Sequence, residues 1–423
     1  MKLFLKNIGK IEHASVEIEG ITVIAGENNT GKSTVGRTLF SVFNSFYNIE
    51  EQIQKEKSQS IEHMLNVLYG NVTKRLTSRV VFEEIADSLI VNQEQYINNQ
   101  DMLKDDILKF IAQYDENFYK FEYDGKIDEV AGRVLDVFQV SDEEIFKLVL
   151  DKNFEAEFYG QINNIYTENM GEVGLQIKDE MITVQFVNDE VSFVDKKMDL
   201  QTEAIYFDDP FILDEQRIFM THRNHLNYVD HKTHLKSKLF MSERKSNVVE
   251  EIVVNNKFEK IYEKISEICN GKIIRGRNGG WGYKEDNSEK ALDVRNVSTG
   301  LKTFIILKKL LGNGIIEYNG TIILDEPEIH LHPEWQLVFA ELIVLLQKEF
   351  GIHILLNTHS PYFLNAIEVY AAKYEISSKC RFYIAEMNGK SAFIEDVTDN
   401  IERIYSRLAR PLQDLENERY ENE

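Results

Sequence analysis

Residues 21–25, Ile-Thr-Val-Ile-Ala, run directly into Gly26-Glu27-Asn28-Asn29-Thr30-Gly31-Lys32-Ser33, and a helical pattern follows over about 32–44. An apolar strand, a loop of the form G-x-x-x-x-G-K-[ST] and a helix, in that order, restrict the chain to folds in which a buried strand delivers a loop to a helix N-terminus. The residue types set the chemistry. Gly26 and Gly31 allow the backbone to wrap an anion. The amides running through Asn28, Asn29 and Thr30 to Thr34, with the positive end of the helix, supply donors to phosphate. Lys32 would reach the β- and γ-phosphates of a nucleotide, and Ser33 would ligate Mg²⁺.

The last third of the chain alternates strand and helix. Strand patterns at 321–324, 352–357 and 381–386 are separated by helical patterns that begin at Pro333 and Pro361, and Asn388-Gly389 gives a hairpin turn after the third. Such alternation predicts an α/β fold, a mixed or largely parallel sheet flanked by helices. The first of these strands ends in Asp325-Glu326. Acids at the C-terminal end of a buried parallel strand stand where such sheets place their ligand chemistry. Asp325 would hold Mg²⁺, and Glu326 would orient or deprotonate an attacking water. His359 ends the next strand, 33 residues after Glu326, and could contact the γ-phosphate; alone, it reads equally as the cap of the helix at Pro361. Ser298-Thr299-Gly300 precedes an apolar helical run at 303–311, and alone reads as an ordinary N-cap.

Between these halves lies a long stretch of different character. Residues 50–150 are mainly helical by pattern and free of proline, and alternating strands follow over about 154–193. The predicted organisation is a catalytic body from 1–44 and 200–410, a helical insertion with a short β-meander at 45–200, and a solvated acidic tail at 411–423. The net charge of −23 argues against a surface that coats nucleic acid or anionic lipid as a whole. Residues 101–200 carry 24 acidic and 10 basic side chains, net −14, whereas 217–309 carry 19 basic and 11 acidic, net +8. The second window is the candidate for nucleic-acid contact; it includes His222, His225, His231 and His234, whose spacing fits no standard zinc finger. The two cysteines, Cys269 and Cys380, give no disulfide framework, and no signal-peptide core or bilayer-length apolar run occurs, so a cytoplasmic protein that meets no membrane is expected.

Phosphate loop, Ser-x-Gly helix start, strand-Asp-Glu and strand-His occur in the chain order of an ABC-type ATPase. The run Asp325-Glu326-Pro327-Glu328-Ile329-His330-Leu331-His332-Pro333 resembles the D-E-P-E-x-H-L-H-P of OLD-like, phage-defence ATPases of the AAA family, and Asn357-Thr358-His359-Ser360-Pro361 is similar to their N-T-H-S-P switch. The opening 3–9 resembles the first strand of SMC-like and RecF-like heads. The resemblance covers about 1–44 and 290–400. It implies an ABC-ATPase head that binds ATP with Mg²⁺ and forms an ATP-dependent homodimer or higher oligomer, in which Ser298 and Gly300 touch the γ-phosphate held by the other subunit. Thr299 and Leu301 depart from the usual signature. A glutamine that such sites place near the metal has three candidates, Gln52, Gln54 and Gln216, and the adenine contact is unassigned. Only 64 residues follow His359, too few for the Toprim nuclease of OLD proteins, so a separate effector, a nuclease or toxin, is expected as partner. The alternatives are a DNA-repair or chromosome-maintenance ATPase and a nucleotide-bound scaffold with negligible turnover.

Overall fold

A computed structural model describes residues 1–69, 79–114, 126–215, 228–240, 260–275 and 280–421. The chain forms two compact units, one from Met1–Tyr47 with Leu150–Glu423 and the other from Asn48–Val149.

The first unit is built on an 11-stranded sheet. In chain order its strands are β1 (Lys2–Ile8), β2 (Ile11–Glu17), β3 (Ile21–Gly26), β4 (Gly171–Ile177), β5 (Glu180–Val187), β6 (Glu190–Val194) and β7 (Ala204–Phe207). A separate small sheet contains β8 (Gly271–Arg275), β9 (Trp281–Glu285) and β10 (Leu292–Asp293). The main sheet then continues with β11 (Thr321–Asp325), β12 (His353–Thr358), β13 (Cys380–Asn388) and β14 (Ser391–Asp396). Its spatial order is β6-β5-β4-β1-β2-β14-β13-β3-β12-β11-β7. Strands β13, β3, β12, β11 and β7 pair in parallel, whereas β1, β2 and β4 to β6 pair antiparallel with one another. The sheet is therefore mixed, as the alternation of elements predicts.

The parallel strands are apolar because both faces are covered. Every residue of β3 is buried, and the core on these strands takes in Phe304, Phe339, Ile343 and Phe363 from the helices Thr299–Gly312, Pro333–Phe350 and Pro361–Lys373. Register then fixes what meets at the C-terminal edge. Ala25 pairs with Thr358, Asn357 with Asp325, and Leu324 with Phe207, so the ends of β3, β12, β11 and β7 lie side by side.

Two boundaries differ from the sequence expectation. The meander β4 to β6 is not part of the insertion: β4 pairs along β1 from Lys2↔Gln176 to Lys6↔Glu172 and extends the main sheet. Alternation reveals a strand but not its partner, which here lies some 170 residues away. The strand pattern also begins later, since the helix Asp142–Phe158 runs through the start of the expected strand region. The second unit is accordingly all-helical, with Ile49–Tyr69, Arg79–Val91, Gln93–Tyr96, Gln100–Tyr114 and Lys126–Gln139 packed around Ile61, Leu65, Phe82, Leu89, Ile107 and Val134. The tail from 411 continues the helix Glu402–Glu421, with Pro411 inside it, and is exposed along its described side chains. Most of the charged helix expected over about 242–269 lies outside the described residues. No described helix is long and apolar enough to cross a membrane.

Candidate nucleotide site

The phosphate loop turns between β3 and the helix Lys32–Phe46. Gly31 caps that helix at φ 82°, ψ 11°, a left-handed conformation that suits glycine. At Gly26 the requirement is space, because a Cβ would lie 2.5 Å from the Ala385 carbonyl oxygen. Thr30 Oγ1 donates to Glu27 O at 2.8 Å and closes the loop on itself. Lys32 is only 4% exposed, and its Nζ donates to Gly26 O at 3.0 Å and Glu27 O at 2.8 Å. Burial pushes the Lys32 ammonium below the usual lysine range, opposed by Glu326, Asp325 and Glu328. The amine is folded back on its own loop and points into a cluster of acids.

That cluster stands at the ends of β11 and β12. Asp325 is fixed through both oxygens, Oδ2 accepting from Tyr206 Oη at 2.8 Å and Oδ1 from Asn357 Nδ2 at 3.0 Å. Glu326 follows at φ 51°, a conformation costly for a side chain with a Cβ, and its N–H donates to Asn357 O at 2.9 Å. Its Oε1 lies 3.0 Å from His359 Nδ1 and 3.8 Å from Lys32 Nζ. The hydrogen bond to His359 holds the Glu326 carboxyl low, and the same bond raises His359. Both shifts have one cause, the contact between the two side chains. Glu328 is 2% exposed and raised by burial, while Thr358 Oγ1 donates to its Oε1.

An open cavity of about 510 Å³ joins these parts. Its lining runs from Gly9 and Lys10 across Asn29–Thr34 to Glu326 and Arg37, and on the other side to Phe158, Tyr159, Ile165 and Tyr166. The donor set suits Mg²⁺. Ser33 and Asp325 offer hard oxygens, and each Asp325 oxygen engaged by one neutral donor keeps capacity for a metal-bound water. Among the described residues no group of three His, Cys, Asp or Glu is arranged to hold a metal. A cation here would therefore lean on the nucleotide phosphates and water, as Mg²⁺ commonly does.

Of the sequence-identified residues, Gly26 to Thr34, Asp325, Glu326 and His359 come together. Ser298 and Gly300 do not line this cavity. Ser298 is exposed and occupies the N-cap position of the helix Thr299–Gly312, its carbonyl accepting from Lys302 N–H at 3.1 Å while its side chain makes no capping bond. Gly300 is buried, and a Cβ there would lie 2.8 Å from His330 O beside the Trp335 ring. Of the candidate glutamines, Gln52 and Gln54 belong to the helix Ile49–Tyr69 in the other compact unit, and Gln216 lies outside the described residues. The position that follows Phe207, next to Asp325 by register, is Asp208.

Sequence reading also missed a buried ion cluster behind the phosphate-loop helix. His231 Nδ1 lies 2.7 Å from Glu157 Oε1 and Nε2 lies 3.0 Å from Asp208 Oδ2. A ring with a carboxylate on each nitrogen donates from both and is an imidazolium. Burial disfavours that charge, but the bonds to Asp208 and Glu157 outweigh it and bring His231 up to about 9. Its ring stacks on Tyr206 at 4.3 Å between centroids, so it backs the donor to Asp325. Arg37 Nε is 3.7 Å from the same Glu157. Acids from outside the basic window pair part of it: Lys232 with Asp208, Lys236 with Glu215, and Lys238 and His234 with Glu203. These acids stand at 203–215, just outside the 217–309 window. His222 and His225 lie outside the described residues.

A stretch of 120 residues is 29% identical to the Retron Vc95 probable ATPase of Vibrio cholerae serotype O1 biovar El Tor, covering 26% of this chain and 22% of that protein. Among solved structures, an SMC head bound to the C-winged helix domain of ScpA aligns over 93% of this chain and 96% of its own at TM-score 0.42 and 11% identity. The SMC head domain from Thermotoga maritima aligns over 94% and 98% at TM-score 0.38 and 10% identity. At these scores the likeness is loose, and the fold stands on the strand order itself. The AAA ATPase domain model matches residues 1–364, and the chain belongs to that family.

Proposed function

We propose that the protein binds ATP with Mg²⁺ at the phosphate loop and hydrolyses it, as the nucleotide-driven subunit of an anti-phage defence assembly whose effector is a separate protein. The observation that carries the enzymatic part is the convergence of Lys32, Asp325, Glu326 and His359 at the strand ends beside the phosphate loop, with Lys32 Nζ at 3.8 Å and His359 Nδ1 at 3.0 Å from Glu326 Oε1. When bound, Mg²⁺ neutralises phosphate charge. Ser33 and Asp325 would hold it, and Tyr206 and Asn357 keep Asp325 in place.

Lys32 exchanges the Gly26 and Glu27 carbonyls for phosphate oxygens, which draws it off Glu326. Glu326, held low and therefore ionised at neutral pH, then accepts a hydrogen bond from water and orients it for attack. The contact with Glu326 raises His359, and its protonated ring would carry positive charge to the place where γ-phosphate charge builds.

Ser298, exposed and free of a capping bond, supports an ATP-dependent homodimer in which it reads the nucleotide of the second copy. The D-E-P-E-x-H-L-H-P run and the retron ATPase relative support the defence setting. The purified chain is expected to release phosphate from ATP while cleaving neither DNA nor RNA. Mg²⁺-dependent cleavage by the pure chain, abolished by Asp325→Ala, would overturn the separate effector.

A further inference from the structure

Three consecutive residues at the end of β12 each take one carboxylate from the segment that follows β11. Asn357 Nδ2 donates to Asp325 Oδ1 at 3.0 Å, His359 Nδ1 lies 3.0 Å from Glu326 Oε1, and between them Thr358 Oγ1 donates to Glu328 Oε1. Asp325 and Glu326 are half-buried and can meet a ligand. Glu328 is 2% exposed and Thr358 is fully buried, so neither can touch one. A carboxyl in such a place is costly. Burial raises Glu328, and its Oε2 has no hydrogen-bond partner among the described residues. An apolar side chain of similar size would avoid that penalty, so the contact that sets glutamate apart here is the one to Thr358.

Both ends of this bond are anchored. Glu328 O accepts from Leu331 N–H at 3.0 Å and from Gln336 Nε2 at 3.4 Å, and Ile329 N–H donates to Glu326 O at 3.2 Å, which turns the segment back on itself. Thr358 pairs with Ala25 in the sheet, and its Oγ1 also accepts from Ser360 N–H at 3.1 Å. Ser360 Oγ in turn accepts from Phe363 N–H at 3.1 Å, at the start of the helix Pro361–Lys373. His359 lies between Thr358 and Ser360, so the chain on both sides of it is tied to one hydroxyl.

We propose that the bond between Glu328 and Thr358 positions His359. Neither side chain meets the nucleotide, and both act on phosphate release through the placement of the His359 ring against Glu326 and the γ-phosphate. The inference rests on the role given to His359 above and adds the residues that set its geometry. Without the bond the turn after β12 relaxes and the ring is carried with it. A displacement of about 1 Å is enough to cost up to about 10²-fold in rate. Lys32 and Thr30 keep their own bonds within the phosphate loop, so nucleotide affinity is largely spared.

The test is a double-mutant cycle on single-turnover phosphate release with the full chain in excess over ATP, and with ATP affinity measured by calorimetry on the same preparations. Thr358→Val keeps the shape of the side chain and deletes the hydroxyl, and Glu328→Met deletes the acceptor from the other end. Each should lose roughly 10- to 100-fold of the rate while binding ATP within about threefold of wild type. Thr358→Ser should restore the rate. Action through the ring has a further signature: in a His359→Ala background, Thr358→Val should change the remaining rate by no more than about twofold. The full loss recurring in that background, or a wild-type rate in Thr358→Val while His359→Ala is slow, would overturn the proposal and leave the nucleotide site standing. Loss of ATP binding in both Thr358→Val and Glu328→Met would show that the bond supports the fold rather than the ring, and would overturn it equally. A His359→Ala protein as fast as wild type would instead remove the reading of His359 on which the proposal rests.

Discussion

Replacing His231 by Gln removes a buried imidazolium from between two carboxylates. His231 is 2% exposed and Glu157 1% exposed, so the loss leaves Glu157 and Asp208 facing each other with little water to separate them. Arg37 at 3.7 Å from Glu157 and Lys232 at 3.3 Å from Asp208 remain and moderate the repulsion. Raising His231 from 6.5 to about 9 corresponds to roughly 3 kcal/mol of stabilisation at 1.36 kcal/mol per unit. That agrees with the roughly 3–5 kcal/mol typical of breaking a buried pair by removing one partner. At 2–4 °C per kcal/mol for a body this large, the melting temperature of His231→Gln at pH 7 should fall by roughly 6–12 °C. The pH dependence has a definite sign. The folded value lies above the unfolded one, so the stabilisation is fully present below about pH 6.5 and is lost as pH rises through about 9. Melting curves of both proteins between pH 6 and pH 9.5 should therefore converge toward the alkaline end. Melting within about 2 °C of wild type at pH 7, or a gap that stays constant over this range, would refute the buried imidazolium.

Two further substitutions probe the site. Tyr206→Phe deletes the donor to Asp325 Oδ2 while keeping the ring stacked on His231, and should raise the Mg²⁺ concentration for half-maximal ATP turnover by roughly tenfold or more; an unchanged Mg²⁺ requirement would show that Tyr206 does not position Asp325. Ser298→Arg should leave ATP binding intact yet abolish an ATP-dependent dimer in the Glu326→Gln background, measured by light scattering, and a dimer that persists would exclude a signature contact across subunits.

What was legible in the sequence was what is local. Gly26 to Ser33 carries its strand, loop and helix with it, and Asp325-Glu326 and His359 each end an apolar strand, so their common edge followed from parallel pairing. Residues whose role depends on a distant neighbour were hidden. Tyr206 looks like one more core aromatic until register brings β7 beside β11. His231 sits among lysines in sequence, but Glu157 and Asp208, from two other elements, surround it in space. The partners of three lysines in the 217–309 window were hidden for the same reason, since Glu203, Asp208 and Glu215 pair with Lys238, Lys232 and Lys236 from outside it. Nor could alternation in β4 to β6 say that these strands join β1 rather than the helical unit.

ATP hydrolysis centred on Glu326 is tested most directly by single-turnover phosphate release, with nucleotide binding measured on the same protein preparations. Wild type should release phosphate. Glu326→Gln should bind ATP as tightly as wild type and lose about 10²-fold or more of the rate, because the amide cannot take a proton from water. Lys32→Ala should fail at binding instead. Phosphate release by Glu326→Gln at the wild-type rate would contradict the assignment.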